Sequence, residues 1–269
     1  MLFFASQCFF HNLILQVFKV VFQWYNNHGG IYQMNENQLS KRLARVGELV
    51  PEQSRLADIG SDHAYLPVAL VLQNKLDFAV AGEVVSGPFE AAKKQVQKNG
   101  LNDQIIVRLA DGLDAVEQTD GITAVTICGM GGVLIRDILE AGWNNQRLQG
   151  NECLVLQPNI GEKPLRDWLT VHGFTILEED ILEENNKIYE IIVASRLETR
   201  VAYSEKERLF GPLLLQKQST VFRKKWLGEL NQRETILAQL AKASGDQTVR
   251  IHQIEKEIAE IKEVLSDES

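Results

Sequence analysis

At 269 residues, 45% of them apolar, the chain is long enough for one catalytic domain plus a small appendage and apolar enough to bury a core. A net charge of −8 excludes a uniformly basic nucleic-acid binder. Its three cysteines, Cys8, Cys128 and Cys153, have neither the spacing of a disulfide framework nor that of a zinc site, so a reducing cytoplasm and no metal are expected.

The segment 1–33 is apolar from Leu2 to Tyr25, with Lys19 its only formal charge there. A secretory signal needs a basic start and small residues at a cleavage site, and neither is present. A membrane anchor would be interrupted by His11, Asn12, Gln16 and Lys19, which are costly in hydrocarbon, so no stable membrane partner is expected. The remaining reading is that translation starts at Met34, where MNENQLSKRL has the polar character of a cytosolic N-terminus.

From there the apolar spacing predicts a helix over 37–50, stopped by Pro51. Strands follow at 55–59, 78–84, 105–110, 122–128 and 153–157, alternating with helices at 66–75, 88–99, 133–141 and 163–172. A final pair of strands, 174–182 and 187–196, flanks the turn Glu184-Asn185-Asn186. Alternation of this kind predicts an α/β fold, a mostly parallel Rossmann-like sheet with helices on both faces and ligands at the carboxyl ends of its strands.

After Tyr203 the pattern changes. Gly211-Pro212 marks a break. Trp226, Leu230, Leu237 and Leu240, then Ile251, Ile254, Ile258, Ile261 and Leu265, follow coiled-coil-like spacing around Ser244-Gly245-Asp246. An antiparallel helical hairpin is expected, giving an extension over 1–33, a sheet domain over 34–203 and a hairpin over 204–269. Residues 34–203 hold 16 Lys+Arg against 25 Asp+Glu, whereas Lys206 to Lys225 holds six basic residues and one acidic. Selective phosphate contact needs such a strip, and a solvated helix face has the same composition.

The chemistry concentrates at the predicted strand ends. DIGSDHAYLP has one glycine where a dinucleotide fingerprint has three, which disfavours a nicotinamide cofactor. S-adenosylmethionine lacks a pyrophosphate and asks only for a tight turn with backbone amides, as Gly60 and Ser61 supply. Asp58 and Asp62 are candidates for its amino group and sulfonium end. Glu83, with Val84 beside it, is placed to accept from both ribose hydroxyls, and Asp111-Gly112 to accept from the adenine amino group. The small turn containing Gly129 and Met130 lets cofactor and substrate approach the backbone. Each feature alone is an ordinary loop cap or turn; four at successive strand ends, in order, point to the methyl donor. Asn159 in LQPN either holds the edge of a planar amine or caps the next helix. His63 and Tyr65 have no nucleophile partner and suit stacking or orientation of a base.

SKRL, DIGSDHAYLP, GEVVSGP, GMGG, LQPN and FGPLL, in this order and followed by a helical hairpin, resemble the bacterial tRNA (adenine-N1)-methyltransferases that modify adenine 22. The resemblance runs from Met34 to the C-terminus. The extension before Met34 and Cys128, in place of a smaller residue, depart from the pattern. It implies a class I methyltransferase fold, S-adenosylmethionine as donor and tRNA as acceptor. On this reading Asp62, His63, Tyr65 and Asn159 serve catalysis. Phosphate contact falls to Lys217, Arg223, Lys224 and Lys225, helped by Lys41 and Arg42. A methyltransferase of small molecules or proteins and a non-catalytic RNA-binding scaffold are the competing readings.

Overall fold

A computed structural model describes residues 39–241 and 247–266. The extension over 1–33, the start at Met34 and the loop Ser244-Gly245-Asp246 lie outside them. Helix α1 (Lys41–Leu49) begins where the Ser40 hydroxyl accepts from the Leu43 N–H, and it buries Leu43 and Val46. Strand β1 (Ser54–Ile59) is buried on both faces except at the half-buried Arg55, as befits an interior parallel strand. Helix α2 (Tyr65–Leu72) carries Pro67 in its first turn and buries every residue from Leu66 to Val71. A helix so enclosed shows no polar face.

The remaining elements are β2 (Leu76–Glu83), α3 (Ser86–Lys98), β3 (Ile105–Leu109), β4 (Ala124–Gly131), α4 (Gly132–Asn144), β5 (Cys153–Ile160) and α5 (Glu162–Val171). The hairpin β6 (Phe174–Glu184) and β7 (Lys187–Arg196) follows. Its turn residues Asn185 and Asn186 have φ of 52° and 61°, the conformation a tight hairpin demands. The strands order as β3-β2-β1-β4-β5-β7-β6, with β7 antiparallel to both neighbours. The strand order reverses beside β1, between β2 and β4, and opens a crevice at the carboxyl ends of these strands.

Two expected turns are extended strand instead. β4 runs through the GMG segment and β5 through QPN, because Met130 pairs with Pro158 and Gly131 with Ile160 across an irregular register. Gly129, at φ 76°, supplies the bulge. Asn159 therefore does not cap α5. Gly161, at φ 80°, holds that position without a side-chain bond.

Two short helices, α6 (Glu205–Phe210) and α7 (Pro212–Lys217), flank Gly211, and α8 (Thr220–Leu240) and α9 (Thr248–Ser266) follow. Arg223 reaches the Leu265 carbonyl at 2.7 Å, and Arg233 reaches Glu257 at 2.8 Å, so the two helices run antiparallel. Phe222, Trp226, Ile261 and Val264 share a core with Phe210, Leu214 and Ile181 of β6, separate from the main core of the sheet. Val264, rather than the expected Leu265, is the fully buried residue of that turn. Among the described residues no helix is long and apolar enough to cross a membrane.

Candidate active site

At the end of β1 the buried Asp58 accepts from the Ser61 hydroxyl at 2.5 Å and from the Thr126 hydroxyl at 2.6 Å. Its carboxylate stitches the turn to β4, and burial pushes its pKa up. Both oxygens are engaged within the protein, so Asp58 braces the loop. Gly60, at φ 69°, donates to the Gly82 carbonyl at 2.9 Å, and a Cβ there would collide with Met130 Cε.

Asp62, His63 and Ala64 then adopt φ of 44°, 66° and 58°, three consecutive left-handed residues. Each such residue costs about 1–3 kcal/mol, a strain that clusters at functional sites. The turn leaves the Asp62 and His63 side chains exposed, bonded through Nδ1 and Oδ1 at 2.8 Å. The His63 ring lies parallel to Tyr65, with centroids 5.4 Å apart.

Glu83 closes β2. It is buried and accepts from the Asp62 backbone N–H, yet its Oε1 has no partner. Burial raises its pKa, the Asp62 N–H opposes this, and the charges of Asp58 and Asp62 add to the rise. A buried carboxylate oxygen without a donor is costly, and the vicinal hydroxyls of a ribose would satisfy it. With the Gly60 turn beside it, this acceptor fits the nucleoside of S-adenosylmethionine. Val84 next to it is exposed. Asp111 and Gly112 follow β3 and line a 210 Å³ cavity with Leu113, Leu134 and Ile138. Burial pushes the Cys128 thiol up, which keeps it protonated.

Gln157, part of the LQPN segment, organises the other side. It is fully buried; its Oε1 accepts from the Gly129 N–H at 3.0 Å and from the Arg42 guanidinium, and its Nε2 donates to the Pro158 carbonyl at 2.7 Å. Asn159 Nδ2 donates to the Gly129 carbonyl at 2.7 Å. Gly129 is thus held at both its amide and its carbonyl, and Asn159 Oδ1, which accepts from Gln157 Nε2 at 3.5 Å, keeps a second lone pair for a further donor. A lone glutamine in the apolar run CLVLQP was the available signal. Arg42 also covers the Tyr189 ring, 5.2 Å from its centroid, and so belongs to the floor of the site.

The basic strip is dispersed among internal partners. Lys217 donates to the Glu179 carbonyl at 3.3 Å, and Arg223 to Gln218 and the Leu265 carbonyl. Lys224 pairs with Glu183 at 2.6 Å and stays exposed, whereas Lys225 sits 2.7 Å from both Glu162 and Glu190 with its side chain 14% exposed. Lys41 donates from its backbone to Glu184 and from Nζ to the Glu183 carbonyl. A 490 Å³ cleft lies between the Asn159–Glu162 turn and α8. Among the described residues no group of three or more His, Cys, Asp or Glu side chains could hold a metal ion.

The family described as tRNA (adenine(22)-N(1))-methyltransferase, TrmK, matches residues 56–263. The tRNA (adenine(22)-N(1))-methyltransferase of Bacillus subtilis (strain 168) is 44% identical over 238 residues, covering 87% of this chain and 98% of that protein. A crystal structure from Streptococcus agalactiae, of the NADB-Rossmann superfamily, is 46% identical with a TM-score of 0.79 over 85% of this chain and 98% of that one. M. capricolum TrmK, solved in complex with S-adenosyl-homocysteine, is 29% identical with a TM-score of 0.72 over 84% of this chain and 97% of that one. With the expected Rossmann-like sheet in place and the match spanning both the sheet and the C-terminal helices, the chain belongs to the tRNA (adenine(22)-N(1))-methyltransferase family.

Proposed function

We propose that this protein transfers a methyl group from S-adenosylmethionine to N1 of adenine 22 in tRNA, in the cytoplasm, with 34–203 as the catalytic part and 204–269 as the helical part that meets the RNA. The carrying observation is the unpartnered, buried Glu83 oxygen beside the left-handed Asp62–Ala64 turn, in a chain of this family. When bound, the cofactor supplies a methyl group already activated on a sulfonium, so the protein's work is positioning and the exclusion of water.

Glu83 accepts from the ribose hydroxyls and Asp111 from the adenine amino group, while Gly60, Ser61 and Gly112 offer close backbone approach. Asp58 holds the turn that presents Asp62. The target base must leave its stack for N1 to be reached. The paired His63 and Tyr65 rings and Met130 offer faces for it, and Asn159 Oδ1 accepts from its exocyclic amino group. That contact fixes the edge carrying N1. Methylation leaves the base positively charged. Asp62 stabilises that charge, and loss of a proton from the exocyclic nitrogen removes it. Lys224, with its exposed ammonium, is the member of the strip best placed for phosphate.

The test is incubation with labelled S-adenosylmethionine and defined tRNA transcripts, followed by mapping of reverse-transcriptase stops. A stop at one adenine is the expected result; transfer to protein or small molecules alone, or cofactor binding without transfer, overturns it. Asp62→Ala and Asn159→Ala should lose about 100-fold in turnover while binding tRNA normally. Weakened binding with normal turnover at saturating tRNA would reverse those assignments.

A further inference from the structure

Lys225 lies one residue before Trp226 on α8, at the edge of the helix face that is buried with Phe222. Its ammonium is 2.7 Å from Glu162 Oε1 and 2.7 Å from Glu190 Oε1. Glu190 also meets Arg166 at 2.5 Å, and the fully buried Arg166 meets Glu179, whose Oε2 accepts from the Leu213 N–H at the start of α7. Burial works against the charge on Lys225, but Glu190 and Glu162 outweigh it and the net shift is upward. Lys225 therefore stays charged and doubly paired. An RNA phosphate would have to displace two carboxylates to reach it.

Glu162 is the first residue of α5, three positions beyond Asn159. The segment between them is held elsewhere too. Asn159 is bonded to the Gly129 carbonyl, and the Gly161 carbonyl lies so close to Gly132 that a Cβ there would collide with it. Both of those ties come from the GMGG segment. The Lys225–Glu162 bond comes from α8, across the 490 Å³ cleft that the turn lines on one side and α8 on the other.

We propose that Lys225 is a positioning residue for methyl transfer: by bonding Glu162 it fixes the Asn159–Glu162 turn from the α8 side, and it makes no phosphate contact. The inference rests on the reading of Asn159 as the residue that holds the edge of the target base. It also gives the C-terminal helices a role in turnover that is separate from RNA affinity.

The experiment compares the full-length wild type with Glu162→Ala, Lys225→Met and Lys225→Arg. It measures kcat, KM for tRNA at several salt concentrations, and hydrogen exchange of the 158–164 backbone in the free protein. Glu162→Ala and Lys225→Met should lower kcat about tenfold, since small displacements near the reacting atoms carry large rate effects. KM and its salt dependence should stay within about twofold of wild type, as no released counterion is lost. Exchange across 158–164 should quicken, and Lys225→Arg should recover most of the rate. Unchanged kcat and exchange, or a raised KM with a shallower salt slope, overturns the proposal. If Lys225→Met does not fold, Glu162→Ala decides, because it removes the acceptor and keeps Lys225 paired with Glu190. A wild type that fails to methylate adenine N1 in tRNA removes the functional reading itself, and the exchange data then still report whether the bond holds the turn.

Discussion

The turn after β1 and the basic strip from α7 into α8 are both polar stretches beside the proposed site, and folding treats them in opposite ways. In the turn, three consecutive residues adopt left-handed backbone, Asp62 and His63 project outward, and the neighbouring Glu83 retains a buried oxygen with nothing to accept from. In the strip, Lys217, Arg223, Lys224 and Lys225 each have a partner within the protein. Strain and an unsatisfied acceptor have no structural reward in the free chain, so they mark where a ligand completes the energetics. Paired cations have their reward already. Sequence charge becomes available charge only where the pair is exposed and cheap to break.

The sharpest way to break this comparison is to remove the charge at the centre of the paired side. Arg166→Ala leaves the buried Glu179 without a cation and the buried Glu190 with Lys225 alone, and should cost about 3–5 kcal/mol in urea unfolding. An unchanged midpoint would mean that these pairs carry no stability and that the strip's cations are freer than their contacts indicate. Next is Gly132→Ala, whose Cβ must push the Gly161 backbone away. Turnover should fall about 100-fold with cofactor affinity retained; wild-type turnover would show that this contact does not position Asn159.

On the strained side, Glu83→Gln should weaken S-adenosylhomocysteine binding by about 10-fold, the weight of hydrogen bonds to a charged acceptor. The pH dependence follows from the raised pKa of Glu83. The ionised form accepts from both hydroxyls, so affinity is full above that pKa and falls as pH drops through it, starting at a higher pH than for an ordinary glutamate. For the unliganded fold the sign is opposite. Glu83 contributes stability below the ordinary glutamate pKa, and this is lost as pH rises through its own. Calorimetric titration checks the affinity and urea unfolding the stability, each across pH, and a profile that Glu83→Gln leaves unaltered would assign the dependence to Asp58.

The same contrast explains what the sequence disclosed. β2 was legible because its FAVAG stretch is a continuous apolar run, β1 because its short RLADI segment ends on an aspartate-glycine turn, and Gly60 because a tight turn after a strand calls for left-handed backbone. The Glu184-Asn185-Asn186 turn was legible for the same local reason. The extension of β4 and β5 through GMG and QPN was not, because it depends on Met130 and Pro158 pairing across the sheet. The bracing role of Gln157 within LQPN was not legible because its partners, Arg42 and Gly129, are 115 and 28 residues away. Lys225 looked like its neighbour Lys224 in sequence. One residue, about 100° around a helix, separates a cation buried between two carboxylates from one in an exposed surface pair.

That adjacency gives the smallest and most discriminating expectation. The Lys224 side chain is 59% exposed, and its bond to Glu183 is a surface pair of the kind worth about 0–1 kcal/mol. A phosphate can replace Glu183 there at little cost. Lys224→Gln should therefore leave stability and kcat unchanged, weaken tRNA binding by about two- to threefold, and lower the slope of log affinity against log salt by about 1. If the slope does not move, the RNA does not pass over this face of α8. Phosphate contact would then have to come from cations outside the strip, while the separation between paired and exposed lysines would still be measured by the differing responses of Lys224 and Lys225.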